Sequence, residues 1–153
     1  MKKPLGHGYK ELTIPPLESG KFRIEPNALH IWPRGNHMLI ALPNNDCSFT
    51  CTLFFPMTGA TSFETVKTEK DILDLFPSQF HDAIKLIPNL VVDFQKNSTG
   101  DLASVYCKPW HLGDKALLIG DAAHAVVPFF GQGMNASFQD CSTLAKLMGQ
   151  YKN

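Results

Sequence analysis

Residues 115–140, KALLIGDAAHAVVPFFGQGMNASFQD, constrain the chain most, because a strand signature, a Gly-Asp turn, a Pro-aromatic loop and a glycine-rich helix start follow one another there without a break. Ala116-Leu117-Leu118-Ile119 is an apolar run of the length expected for a buried strand. Gly120 allows close backbone approach, and Asp121 sets a carboxylate at the strand's C-terminal end, where ligands bind in open α/β sheets. Gly131-Gln132-Gly133 then leaves backbone N–H groups free where the next helix begins, and such groups attract negative charge. A carboxylate at a strand end and free amides at a helix start are together suited to a large polar cofactor.

The rest of the sequence sets the bounds on that reading. At 153 residues the chain is sized for one ordinary domain, and 44% hydrophobic with 18% charged residues describes a folding chain. Its 14 basic and 14 acidic residues cancel, leaving no basic stripe for nucleic acid. No apolar run reaches the ~20 residues of a membrane span, and the start, MKKPLGHGYK, lacks the apolar stretch of a signal peptide. Cys47, Cys51, Cys107 and Cys141 form no C-x-x-C pair, so reduced thiols are expected, with neither a disulfide framework nor a metal site.

Along the chain, ELTIPP (11–16) reads as a strand stopped by two prolines. FRIEPNALHIWP (22–33) reads as two extended pieces broken at Pro26-Asn27. His37–Leu42 and Ser48–Phe55, joined by Pro43-Asn44-Asn45-Asp46, form an antiparallel hairpin, with Met38, Ile40 and Leu42 on one face and Thr50, Thr52 and Phe54 sharing a face of the partner strand. Residues 69–76 and 78–87 read as two short helices separated by Pro77, and Val91-Val92-Asp93-Phe94 and 103–107 as extended. The last helix runs from near Gly133 to about Gln150, with Met134, Phe138, Cys141, Ala145 and Met148 as its apolar face. The organisation expected is a mixed-sheet domain over 1–112 and a strand-loop-helix unit over 113–153. One strand and one helix cannot complete a parallel α/β sheet, so the second piece reads as the end of a larger domain.

Gly120-Asp121-Ala122-Ala123-His124 and Pro128-Phe129-Phe130-Gly131-Gln132-Gly133-Met134-Asn135 resemble the second flavin motif of the FAD-dependent aromatic hydroxylases. Outside it, HGY (7–9), ELTIPP (11–16), LHIWPR (29–34), IALPN (40–44) and SFTCTLF (48–54) are similar to the kynurenine 3-monooxygenase family, over segments that belong to the substrate domain. The resemblance implies an α+β, α/β architecture, part of the Rossmann-like FAD/NAD(P)-binding aromatic hydroxylase fold. It implies FAD as cofactor, NADPH as reductant, and O₂ and L-kynurenine as substrates, with 3-hydroxykynurenine as product of a step in tryptophan catabolism. Oxygen transfer belongs to the flavin C4a-hydroperoxide, so no catalytic side chain is assigned.

By the same resemblance, Gly120, Asp121, Gly133, Met134 and Asn135 are the cofactor-binding positions, with Asp121 accepting from the ribityl chain and Met134 and Asn135 meeting the flavin ring. Leu29, Met38, Ile40, Leu42 and Phe54 are the apolar walls of the substrate pocket, and Pro128, Phe129, Phe130 and Gln132 line it from the flavin side. His124 is expected to support the loop. Ser137 and Gln139 stand where the family has Gly and Glu. The family's G-x-G-x-x-G fingerprint is absent from the sequence, as is its membrane-attaching C-terminal segment. The family location is the mitochondrial outer membrane, and this chain alone is expected to be soluble. A fragment of the enzyme, a non-catalytic isoform or binding protein, and a hydroxylase of another aromatic acid remain the readings in play.

Overall fold

The computed structural model describes residues 1–151, which divide into two compact units: residues 6–101, and residues 1–5 together with 102–151. The element order is β1 (Lys2–Ile14), β2 (His30–Arg34), β3 (His37–Pro43), β4 (Phe49–Pro56), α1 (Glu69–Gln79), α2 (Leu90–Lys96), β5 (Gly100–Val105), β6 (His111–Leu112), β7 (Ala116–Leu117), α3 (Asp121–His124) and α4 (Gly133–Gln150). The fold is α+β. The boundary between the units passes through β1 and β5.

The first unit is built around a sheet of order β2-β3-β4-β1-β5. Strands β2–β3, β3–β4 and β4–β1 pair antiparallel. The expected hairpin forms as β3 and β4. Its loop closes through Asn44 N–H donating to Ser48 O at 2.9 Å, and through Asp46 Oδ1, which accepts from the Ser48 N–H at 3.0 Å and hydroxyl at 2.6 Å. Cys47 takes the left-handed conformation there, φ 66°. Alternation sends Leu39, Ala41, Phe49, Cys51, Leu53 and Phe55 to one face, all completely buried. Helices α1 and α2 contribute Ile72, Phe76, Leu90 and Phe94 to the same core.

Three local expectations give way to tertiary context. Pro77 does not separate two helices but lies inside α1, which starts at a Thr68–Asp71 capping box and ends at Phe80. The carbonyl that Pro77 cannot satisfy is that of Leu73, and both residues sit on the exposed side of the helix, open to solvent. Val91-Val92-Asp93-Phe94 is not extended but belongs to α2, because Leu90 and Phe94, four apart, both reach the core. Asp93 Oδ2 accepts from Thr13 N–H at 3.0 Å and Asn97 Nδ2 donates to Glu11 O at 2.7 Å, so this segment satisfies backbone groups of β1 with side chains. The first piece of 22–33 is likewise irregular; only β2 is a strand.

The second unit contains the short hairpin β6–β7, the four-residue α3, a 3₁₀ turn at Pro128–Phe130 and α4. The strand expected at 116–119 is reduced to two residues, paired antiparallel to β6 and exposed rather than buried. Helix α4 has the bounds read from the sequence, but none of its residues is buried among those described. No helix among the described residues is long and apolar enough to cross a membrane, and all four cysteines are free thiols. Burial pushes the Cys51 thiol up to about 12, which leaves it unreactive.

Candidate functional site

The motif at 120–140 folds around one carboxylate. Asp140, on α4, accepts from the Gly120 N–H at 2.8 Å and from His124 Nε2 at 2.7 Å on the same oxygen. The Gly120 N–H, and then His124, hold the Asp140 carboxyl below the usual carboxylate range, while the hydrogen bond to Asp140 raises the His124 imidazole above its ordinary value. His124 is thus a structural latch, tying α3 to α4, with Trp110 at 5.2 Å between ring centroids.

Gly120 is required on two counts. Its φ is +59°, and a Cβ there would lie 2.8 Å from Ser137 Oγ. Ser137 is accommodated by donating to Gly133 O at 2.9 Å, one turn back along α4. The helix therefore approaches the Gly-Asp turn closely even with serine at this position.

The start of α4 carries no side-chain cap. The first intrahelical bond is Ala136 N–H to Gln132 O at 3.0 Å, so the amides of Gly133, Met134 and Asn135 have no partner within the helix. Gly131, φ +63°, ends the 3₁₀ turn and has open space where a side chain would be. The Asp121 side chain is exposed and borders this helix start, since a Cβ on Gly133 would come 3.7 Å from Asp121 Oδ1. Gln132 is turned onto the loop, its Nε2 donating to Phe130 O and its Oε1 accepting from Asn135 Nδ2, both at 3.1 Å. Phe130 is 80% exposed and Phe129 half-buried.

Of the expected substrate-wall residues, four lie in the sheet. Met38 is directly opposite Phe54, Ile40 opposite Thr52 and Leu42 opposite Thr50, so Met38, Ile40, Leu42 and Phe54 share the face turned away from the helical core. Ile40 and Phe54 are buried, Met38 is half-buried and Leu42 is 48% exposed. Leu29 precedes β2 and is also exposed. Two residues extend this face that were not singled out from sequence: Ile31, opposite Ile40, and Tyr9, opposite Phe54. The alternation of β2 carried the signal for Ile31; Tyr9 depended on the register of β1, which no local pattern reveals.

These features correspond to a known group of proteins. Residues 21–152 match the family model described as "FAD binding domain", and the chain belongs to that family. Among curated relatives, it is 55% identical over 149 residues to "Kynurenine 3-monooxygenase" of Myxococcus xanthus, covering 97% of this chain and 32% of that protein. It is 54% identical over 136 residues to the protein of the same name from Dictyostelium discoideum, covering 89% and 30%. The chain spans about a third of the length of the curated relatives it matches. Among solved structures, Klebsiella pneumoniae HpxO complexed with FAD and uric acid aligns with a TM-score of 0.68 at 15% identity, over all of this chain and 38% of that one. The tetracycline destructase Tet(51) aligns at 0.57 and 18%, over all of this chain and 40% of that one. At these identities the structural matches speak for the fold alone.

The donor set fits the flavin end of FAD. Free amides at the first turn of an 18-residue helix and an exposed carboxylate beside them match a group that presents hydroxyls next to a ring that gains negative charge on reduction.

Proposed function

We propose that this chain provides the ribityl- and ring-facing part of the flavin site and the apolar substrate wall of an FAD- and NADPH-dependent monooxygenase that converts L-kynurenine to 3-hydroxykynurenine. One observation carries the reading: the uncapped start of α4 and the exposed Asp121 carboxylate lie side by side, within a segment shared with relatives of that name.

FAD supplies the redox chemistry with NADPH and O₂ when it is bound. Asp121 accepts hydrogen bonds from ribityl hydroxyls. The amides of Met134 and Asn135, at the positive end of the α4 dipole, stabilise negative charge on the ring, while Gly120 and Gly133 allow the backbone to approach. Leu29, Met38, Ile40, Leu42 and Phe54 bind the aromatic ring of the substrate through apolar contact. Pro128, Phe129, Phe130 and Gln132 form the loop beside the flavin ring and exclude water from it, which strengthens the electrostatic contacts there. In this division of labour residues 1–112 serve the substrate and 113–153 the flavin.

A chimera tests the reading. The aligned segment of the Myxococcus xanthus relative is replaced by this chain and the purified protein is assayed with NADPH for 3-hydroxykynurenine. Product formation is the expected outcome. A folded, flavin-loaded chimera that makes no product from kynurenine but hydroxylates another aromatic acid overturns the substrate assignment. A folded chimera that retains no FAD overturns the cofactor assignment. The 153-residue chain by itself, which contains no G-x-G-x-x-G sequence for the ADP half of the cofactor, is expected to bind FAD weakly and to form no product.

A further inference from the structure

The helical side of the sheet holds a cation that the proposed chemistry does not use. Lys10 sits on β1 opposite Leu53, so its side chain enters the face opposite to the one that carries Met38 and Phe54. It is 94% removed from solvent, by a relative exposure of 6%. An ammonium in such a place needs compensation. Part of it comes from Asn97 O, at the C-terminal end of α2, which accepts from Nζ at 2.6 Å. Part comes from the faces of Phe94 and Phe63, whose centroids lie 5.1 and 5.8 Å from Nζ. No carboxylate pairs with Lys10 among the described residues. An ammonium has three N–H donors, and the hydrogen bond to Asn97 engages one of them.

A cavity of about 240 Å³ opens at this point. Lys10, Lys67, Gln95 and Thr99 offer it two positive charges, an amide and a hydroxyl; Phe63, Phe94 and Val66 supply the apolar part of its lining; no acidic residue lines it. The volume admits a molecule about the size of benzoate. Burial lowers the Lys10 pKa, as expected for an ammonium short of counter-charge.

We infer that this cavity is a binding site for a small organic carboxylate, whose carboxyl group meets the Lys10 and Lys67 ammonium groups and whose apolar body lies against Phe63, Phe94 and Val66. The combination selects against a bare inorganic anion, which matches the charge but leaves the rings and Val66 uncovered. The site is separate from the proposed substrate wall by the thickness of the sheet. Its occupant touches β1 and α2, not the face of Met38 and Phe54.

The test is titration of the 153-residue chain with sodium benzoate and, separately, with inorganic phosphate, followed by calorimetry and by amide chemical shifts. Benzoate is expected to saturate with a Kd on the order of 1 mM, the range for a small ligand held by a few contacts. Phosphate is expected to bind more weakly by about fivefold or more. Shifts should concentrate at residues 10, 63, 66, 94 and 99. Lys10→Met, which keeps length and removes charge, should weaken benzoate by about tenfold or more, and Lys67→Ala by about threefold. Absence of saturable benzoate binding overturns the site. Shifts confined to the Met38–Phe54 face assign the binding to the substrate wall and overturn it equally. Phosphate binding as tightly as benzoate overturns the ligand class. Should Lys10→Met fail to fold, the exposed Lys67→Ala variant decides, and an unchanged benzoate affinity there refutes the inference.

Discussion

The two units of this protein are held in different ways. Residues 6–101 place seventeen side chains in one buried cluster, from Leu12 to Phe94, drawn from the sheet and from the segments after it. The described residues of the second unit, 1–5 and 102–151, bury only Leu102 and Ala123 among their hydrophobic side chains, and their longest helix exposes Met134, Phe138 and Met148 by more than 60% each. What orders the second unit locally is polar: one carboxylate, Asp140, joins the Gly120 amide and the His124 ring. The first unit rests on apolar burial, which is collective and non-directional. The second rests on a few directional bonds around a turn that only glycine enters without strain. Binding groups sit readily on such a frame, because helix-start amides and an exposed carboxylate remain open to a ligand.

The comparison breaks most easily in the core. Phe76→Ala is expected to cost about 3–5 kcal/mol, the range for an aromatic ring removed from a packed interior. Phe138→Ala, the same change on the exposed face of α4, should stay within about 0.5 kcal/mol. Denaturant unfolding of both variants measures this, and equal losses would show that the α4 face is as important to folding as the core.

Ligand binding should fall on the other unit. Asp121→Ala removes a charged acceptor worth about 1.5–3 kcal/mol, so FAD affinity should drop by roughly tenfold or more with little change in the unfolding midpoint. Fluorescence titration of flavin with wild type and variant, in the chimera described above, checks it; an unaltered dissociation constant rejects the role of Asp121. Gly120→Ala should cost about 1–3 kcal/mol, since it forces a side chain into a positive-φ conformation and against Ser137 Oγ. Combining it with Ser137→Gly should recover only part of that loss, the strained backbone remaining. Full recovery would assign the whole effect to the clash.

The smallest effect separates the units by sign. His37 lies in the first unit, where burial and then the neighbouring Arg34 charge hold its imidazole below the ordinary histidine range. A depressed histidine stabilises the fold fully above the unfolded value, about 6.5, and the contribution is lost as pH falls from there towards the folded value. His124, raised by Asp140, behaves oppositely: its contribution is complete below about 6.5 and disappears as pH rises through the raised value. Lowering the pH from neutrality to about 5.5 should therefore reduce amide protection around β3 and increase it around 120–124. Hydrogen exchange resolved by residue measures both, and a change of the same sign in the two regions would remove the electrostatic part of the contrast.

Much of the local structure follows from sequence because local chemistry specifies it. The β3–β4 hairpin has strict alternation around a turn of Asn and Asp, and its register then places Met38 against Phe54. The bounds of α4, Gly133–Gln150, follow from an apolar period and a glycine-rich start. The grouping of Gly120, Asp121, Gly133, Met134 and Asn135 follows from their closeness in the chain. Where expectation failed, long-range packing had the larger energy. Val91 and Val92 favour an extended chain, yet burying Leu90 and Phe94 together requires a helix. Pro77 stops a helix in isolation, but inside α1 the lost bond falls on the solvent side.

Sequence by itself therefore determined the hairpin, the final helix, the composition of a flavin-type motif and the family to which that motif points, since each depends on residues within a few positions of one another. Only the tertiary structure decided that Asp140 is the partner of His124 and Gly120, that Tyr9 extends the candidate substrate face, and that Lys10 is buried between Phe63, Phe94 and the end of α2. Those relations join residues from 16 to 87 positions apart. They arise from strand register and from the seating of helices on a sheet, and no local pattern carries that information.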